Sequence, residues 1–169
     1  AKGRSLSERG KAMDTMMGAV LPMFSLGNAA CSIGTSEAAV QSTQRHLVNS
    51  KFAHLGQSLA DLPNLRERLA RMRICTDQAR AYLAATLDAI ESPHPGTMLM
   101  VLGAKAQAAE AAIEITDLGM RACGGAAFSK HLGLERQFRD ARAMSVMAPT
   151  SDVLHDFVGK ALCGMELFS

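Results

Sequence analysis

The sequence predicts an all-α protein, an up-and-down four-helix bundle, and two properties of the chain lead to this prediction. Of the 169 residues 48% are hydrophobic, yet only 4% are aromatic and no tryptophan occurs. Alanine, leucine and methionine supply most of the apolar surface, and such residues favour helices over strands. Long stretches with helical spacing alternate with short segments rich in glycine and proline, which is typical of antiparallel helices joined by short loops.

The first two helices are expected on either side of a loop over residues 51–60. The first runs roughly from Pro22 to Ser50, with Pro22 in its first turn. Asp61 caps the second helix, and Pro63 stands in its first turn. One apolar stripe marks the buried face of this second helix: Leu62, Leu65, Leu69, Met72, Ala79, Leu83 and Ile90.

The third, fourth and fifth helices follow in the remainder of the chain, and no strand pattern is present. The third is expected over residues 97–123, where Gly124 and Gly125 stop it. The fourth covers residues 134–147 and ends before Pro149. The short fifth helix is capped by Thr150 or Ser151 and ends near residue 164.

Charge and the cysteines limit the classes of partner. Eighteen basic and sixteen acidic residues give a net charge of +2, so nucleic acid is not an expected partner. The four cysteines, Cys31, Cys75, Cys123 and Cys163, are far apart and form no CxxC pair. This pattern predicts buried free thiols, a cytoplasmic location and no zinc. The sole Glu-x-x-His motif, Glu91 to His94, is interrupted by Pro93, so no metal centre is expected.

The uncharged run from Thr15 to Ser36 is long enough to cross a bilayer. It contains several glycine and serine residues, however, and also Pro22 and Asn28. We therefore interpret it as a helix buried on most sides, whose small residues permit close helix contacts, and expect no membrane partner.

Two short segments carry candidate binding residues. Gly124 and Gly125 are either a simple helix stop or a place where backbone amides approach a phosphate, with Arg121 one turn earlier. The segment Arg139-Asp140-Ala141-Arg142 is either a solvated helix face or a contact across a subunit boundary. The spacing alone favours the solvated face for this second segment.

From Arg121 to Asp152 the sequence resembles the C-terminal domain of acyl-CoA dehydrogenases and their flavin-monooxygenase relatives. The glycine pair, the RDAR segment and the Thr-Ser that follows it occur in the family's order and spacing. The resemblance extends over nearly the whole chain. It implies that residues 1–169 form the C-terminal helical bundle of a longer protein, whose N-terminal domain is helical and whose middle domain is a β-domain. It also implies a homo-oligomer, a tetramer in the intact protein.

The resemblance further implies a flavin, FAD or FMN. In the family a Gln-x-x-Gly-Gly segment binds the flavin pyrophosphate of a neighbouring subunit, and here the segment begins at Arg121 and ends in Gly124 and Gly125. The family's flavin-contacting threonine corresponds to Thr150. The residue two positions later, often glutamine in the family, is Asp152.

The catalytic position is unusual. Many acyl-CoA dehydrogenases have Glu-Gly-Thr in the loop after the charged helix, and this glutamate abstracts the α-proton of the substrate. Here the loop begins with Ala148, which has no titratable group, so the catalytic residue is unknown.

Three functions are compatible with this loop. The favoured one is a monooxygenase-like enzyme, in which the flavin itself reacts with dioxygen. The second is an acyl-CoA dehydrogenase whose base lies elsewhere, with Glu8 and Asp14 as candidates. The third is a non-catalytic assembly module. The expected substrate is a small molecule or an acyl-CoA.

Overall fold

The computed structural model describes residues 8, 10–52 and 56–166, and these are mainly helical. Each long helix is followed by a short connection, and two shorter helices complete the chain: α1 (Ala12–Asn49), α2 (Pro63–Glu91), α3 (Thr97–Cys123), α4 (Leu134–Val146) and α5 (Ser151–Leu162). The predicted all-α fold is confirmed, and the predicted bounds of α3 are those observed.

The beginning of α1 differs from the prediction. The helix starts ten residues before Pro22 and contains a π-helical segment, Met16–Val20, directly before the proline turn. Proline has no N–H to donate, and its ring crowds the carbonyl group four residues earlier, that of Gly18. A wider π turn relieves such crowding, so the helix continues through a residue that was expected to begin it.

The connection between α1 and α2 contains a small antiparallel pair, β1 (Lys51–Phe52) and β2 (Gln57–Ser58). The sequence predicts a plain loop here, because two-residue strands leave no alternating pattern. Gly56 has a φ of 64°, a left-handed conformation that favours glycine in such a turn.

Asp61 caps a different turn from the one predicted. Its carboxylate accepts hydrogen bonds from the backbone N–H of Ser58 at 2.7 Å and from the Ser58 hydroxyl at 3.1 Å. These bonds close the 3-10 turn Leu59–Asp61, and Leu62 is the residue that precedes α2. Pro63 stands in the first turn of α2, as predicted.

The central helix is α3, and the other helices pack around it. Leu21 of α1 meets Leu102 in one buried cluster, and Leu47 meets Ala122 in another, so α1 and α3 run parallel. The intervening helix α2 runs the opposite way, because Arg71 near its start contacts Glu114 at 3.2 Å, in the second half of α3. The arrangement is the predicted up-and-down bundle, extended by α5.

The apolar stripe of α2 is largely as predicted. Leu65, Met72 and Ala79 are buried against the bundle. The prediction is wrong at the last turn, where Ile90 is 37% exposed and Ala89 is buried instead. A straight helix rotates by about 20° per heptad relative to a 3.5-residue contact repeat, so along this helix the face that meets the core moves from the side of Ile90 to that of Ala89.

The uncharged run in α1 is not buried on most sides. Only 33% of the most apolar 18-residue window of this helix is buried, and by length and composition the helix could cross a membrane. An added Cβ at Gly18, Gly27 or Gly34 would meet nothing within 4 Å, so these glycines do not mediate close contacts within the chain. The close contacts come instead from small residues on the other face, among them Ala29 and Ser32, both fully buried.

All four cysteines are free thiols, but the prediction that all are buried is wrong. Cys31 and Cys163 are exposed, whereas Cys123 is buried and Cys75 is half-buried. Burial raises the pKa of the Cys75 and Cys123 thiols, because desolvation disfavours the thiolate.

Candidate functional site

The loop between α4 and α5 forms one wall of an apolar cavity of about 480 Å³. Ala148 and Pro149 supply this wall, and residues from the beginning of α1 and from α5 supply the others: Met16, Met17, Val20, Leu21, Phe24, Val153 and Phe157. None of these nine residues is titratable. The cavity can therefore hold an apolar group, but its own lining offers no acid or base.

A buried lysine of α3 holds this loop. The Nζ of Lys105 donates hydrogen bonds to the carbonyl oxygens of Met147 at 3.0 Å and Pro149 at 2.6 Å, on either side of Ala148. The same nitrogen lies 5.8 Å from the centre of the Phe24 ring. Burial lowers the pKa of this ammonium group, because desolvation disfavours the charged form.

Lys105 is a residue that the sequence analysis missed, although a signal was present. The residues three and four positions before it, Leu102 and Val101, and those three and four positions after it, Ala108 and Ala109, are all apolar and buried. Residues at these spacings share one helix face. A lone lysine in such a position has to be buried with them.

Thr150 and Asp152 lie together in a small polar cleft of about 260 Å³ at the start of α5. Arg142 of the RDAR segment and Glu110 of α3 also line this cleft. Thr150 caps α5 as predicted, because its side-chain oxygen accepts a hydrogen bond from the backbone N–H of Val153 at 3.4 Å. The cleft thus combines a hydroxyl group with charges of both signs.

The glycine pair lies at the other end of α3. Gly124 stops the helix with a φ of 56°. A Cβ atom added at Gly124 or Gly125 would have no neighbouring atom within 4 Å, so the backbone there is open to a ligand. Arg121 is exposed and 3.9 Å from Asp117, too far for a strong ion pair. Arg68 donates a hydrogen bond to the carbonyl oxygen of Arg121 at 3.2 Å and so neutralises part of the negative helix end.

The structure does not bring the predicted site residues into one cavity. Arg121, beside the glycine pair, lies eleven positions after Glu110, which lines the cleft of Thr150 and Asp152. At 1.5 Å per residue this is about 16 Å. The two groups could touch only different parts of a long ligand, and their flavin contacts stay a prediction.

The two arginines of the RDAR segment have separate surroundings. Arg139 forms an ion pair with Glu135 on the same helix, whereas Arg142 faces the cleft of Thr150. The first is typical of a solvated helix face, which the spacing alone favoured. The second is a ligand-accessible charge.

The structure places both candidate bases, Glu8 and Asp14, outside the lining of the apolar cavity. Glu8 is highly exposed and pairs with Lys11 at 3.2 Å, and Asp14 is exposed; neither lines the apolar cavity. Within residues 8, 10–52 and 56–166 no group of three or more histidine, cysteine or acidic side chains is arranged to hold a metal ion.

Comparison with known families identifies the fold. The model of the family described as "Acyl-CoA dehydrogenase, C-terminal domain" matches residues 11–163, nearly the whole chain. The chain belongs to this family.

Two curated relatives show the range of the acyl-CoA dehydrogenase family. The chain is 32% identical over 113 residues to the 3-sulfinopropanoyl-CoA desulfinase of Paraburkholderia xenovorans. The aligned region covers 66% of this chain and 28% of that protein. It is 30% identical over 147 residues to the mitochondrial very long-chain specific acyl-CoA dehydrogenase of Rattus norvegicus. Here the aligned region covers 83% of this chain and 22% of that protein. The chain thus spans less than a third of either relative.

Solved structures of the acyl-CoA dehydrogenase fold superpose well on this chain. Butyryl-CoA dehydrogenase from Megasphaera elsdenii gives a TM-score of 0.84 at 24% identity, covering 93% of this chain and 40% of that one. The FAD complex of PigA gives a TM-score of 0.73 at 17% identity, covering 80% of this chain and 34% of the PigA chain. At these identities the likeness establishes the fold.

Proposed function

We propose that this chain is the C-terminal domain of a flavin-dependent oxidoreductase that acts on an acyl-CoA thioester. The observation that carries the proposal is the apolar cavity of about 480 Å³ against the Ala148-Pro149 loop, at the family's catalytic position. A cavity of this size and apolar character suits the hydrocarbon part of a small substrate. The names of both curated relatives contain an acyl-CoA, which supports a thioester as substrate.

FAD is the cofactor that we propose for the intact protein, in preference to FMN. The PigA structure that shares this fold is an FAD complex, and the open backbone at Gly124 and Gly125 leaves room for a phosphate to approach. Because this end of α3 is the negative end of the helix dipole, the positive charge of Arg121 would be needed to hold a phosphate there. A bound flavin would supply either hydride acceptance or dioxygen activation.

The missing glutamate decides which reactions are open to this chain. Proton abstraction needs a titratable group within hydrogen-bond reach, and Ala148 and the other cavity residues provide none. Dehydrogenation therefore requires a base from outside this cavity lining. The name of the desulfinase relative describes a reaction other than dehydrogenation, which supports the view that the fold serves several acyl-CoA reactions.

A monooxygenase-like reaction is the second candidate, because Ala148 carries no proton-accepting group. In that case the cavity would orient an apolar substrate, and a bound flavin would supply the dioxygen chemistry. The sequence alone favours this candidate, whereas the names of the relatives favour the acyl-CoA reaction.

One set of measurements separates these functions. The intact protein, loaded with FAD, is mixed anaerobically with acyl-CoAs of increasing chain length, and the absorbance of the oxidised flavin is followed. Bleaching by an acyl-CoA supports dehydrogenation. Consumption of dioxygen by the chemically reduced enzyme, with an oxygenated product, supports the monooxygenase. An intact protein that purifies without flavin and retains none after reconstitution would contradict both and indicate an assembly module.

A further inference from the structure

Of the charged side chains in the described part of the chain, Lys105 alone is buried, with no exposed surface. Burying an ammonium group costs several kcal/mol unless hydrogen bonds and charge compensate it. Here the compensation comes from two backbone carbonyl groups and the face of an aromatic ring. A methionine would fill a similar volume without this desolvation cost, so the contacts of the ammonium group are the feature that needs an explanation.

Those contacts join two walls of the apolar cavity. Met147 and Pro149 belong to the loop that forms one wall, and Phe24 belongs to the α1 wall. Because the carbonyl groups on both sides of Ala148 bond to Lys105, the backbone on either side of this residue is held toward α3. The position of the Ala148 and Pro149 side chains in the cavity is thereby tied to a single nitrogen atom.

We propose that Lys105 is a positioning residue that holds the loop Met147–Pro149 and so sets the depth of the apolar cavity and the chain length of the acyl group that it accepts. The second part rests on the proposed function, whereas the first is independent of it. The ammonium group touches no substrate in this scheme; it acts through the two carbonyl groups and the ring of Phe24.

Two variants separate positioning from a general loss of stability. Lys105→Met keeps the volume and the apolar stem but removes the donors. The control is Ile115→Ala in the same helix, which is fully buried but lies in the main core cluster and does not line the cavity. Both variants are made in the intact protein, and both are expected to lower the melting temperature.

The first measurement is hydrogen exchange in the segment that spans residues 144–152. Lys105→Met is expected to raise the exchange rate of this segment at least roughly tenfold relative to Ile115→Ala, since only the former releases the loop. Equal exchange in the two variants would overturn the positioning role, whatever the enzyme's activity. If Lys105→Met is not recovered folded, Lys105→Leu, which is shorter and also lacks a donor, takes its place with the same expectation.

The second measurement is the dependence of kcat and KM on acyl chain length. Lys105→Met should raise KM about tenfold for the preferred acyl-CoA and shift the preference by two or more carbons, since a misplaced wall changes fit more than chemistry. Ile115→Ala should leave the preference unchanged. Faster loop exchange with an unaltered chain-length profile would overturn the specificity role. If no acyl-CoA reacts with the unmodified protein, the proposed function fails, but the exchange experiment still tests the loop.

Discussion

Glu37 of α1 is held in its charged form by two arginines of α2. Its carboxylate accepts hydrogen bonds from Arg80 at 2.7 Å and from Arg73 at 2.9 Å, and these bonds lower the pKa of Glu37 from 4.5 to about 2. A carboxylate whose pKa is depressed by folding stabilises the protein above its unfolded pKa. This stabilisation is therefore complete above about pH 4.5 and is lost as the pH falls toward 2.

We predict that Glu37→Gln lowers the free energy of unfolding by about 1 kcal/mol at pH 7, because charged hydrogen bonds of a partly exposed group are of that size. The difference from the unmodified protein should shrink between pH 4.5 and pH 2. The control is Glu67→Gln, whose carboxylate is exposed and 3.9 Å from Arg71. Urea unfolding at several pH values measures both, and an effect of Glu37→Gln that does not vary with pH would contradict the assignment.

Gly125 offers a test of the predicted phosphate contact. Its φ is not in the left-handed region, and a Cβ there would meet nothing within 4 Å, so substitution should leave the fold intact. In the intact protein, Gly125→Asp should reduce flavin affinity by roughly tenfold or more, because a carboxylate would face the phosphates. Gly125→Ala adds bulk without charge and should have a smaller effect. Calorimetric titration with FAD measures both, and unchanged affinity in Gly125→Asp would contradict the assignment.

At the scale of the elements, α3 is packed more tightly than α1. An added Cβ at Gly119 would lie 3.0 Å from the Thr43 hydroxyl and 3.2 Å from side-chain atoms of both Leu134 and Met72. These neighbours belong to α1, α4 and α2, so side chains of three helices would have to shift by a few tenths of an ångström. Gly34 in α1, by contrast, has open space around it.

The same substitution should therefore have opposite effects at these two glycines. Gly119→Ala is predicted to destabilise the protein by about 1 kcal/mol, since overpacking costs more than the gain in helix propensity. Gly34→Ala is predicted to stabilise it by about 0.5 to 1 kcal/mol through propensity alone. Thermal or urea unfolding compares the two variants. Equal changes in the free energy of unfolding would show that the packing around Gly119 does not differ in effect from the open surroundings of Gly34.

At the scale of the whole molecule, α1 presents apolar surface that the described part of the chain does not cover. Met13, just before the uncharged run of the helix, is 69% exposed, and Met23, within the run, is 75% exposed. Burying such surface against other parts of the protein would be favourable. We predict that the intact protein is a homotetramer. Light scattering at micromolar concentration should give about four times the mass of one chain of the intact protein, and a clean monomer would contradict the prediction.

We also predict that the 169-residue chain by itself binds FAD or FMN weakly or not at all. Arg121, beside the glycine pair, and the Thr150 cleft are about 16 Å apart along α3, and each group offers only a few contacts. Association costs several kcal/mol before any contact is gained. Calorimetry with the isolated chain should show no heat of binding at micromolar flavin, and submicromolar affinity would refute this. A parallel titration of the intact protein serves as the control.

The sequence by itself determined the helical class, the ends of α3, the Thr150 cap and the membership of the acyl-CoA dehydrogenase family. Such features depend on local propensity, on glycine and proline at helix ends and on motif spacing, which the chain carries residue by residue. Only the tertiary structure revealed the carbonyl partners of Lys105, the exposed face of α1 and the separation of the two groups of predicted site residues. These depend on which helix faces meet, and that is decided by contacts between residues tens of positions apart, such as Lys105 and Pro149.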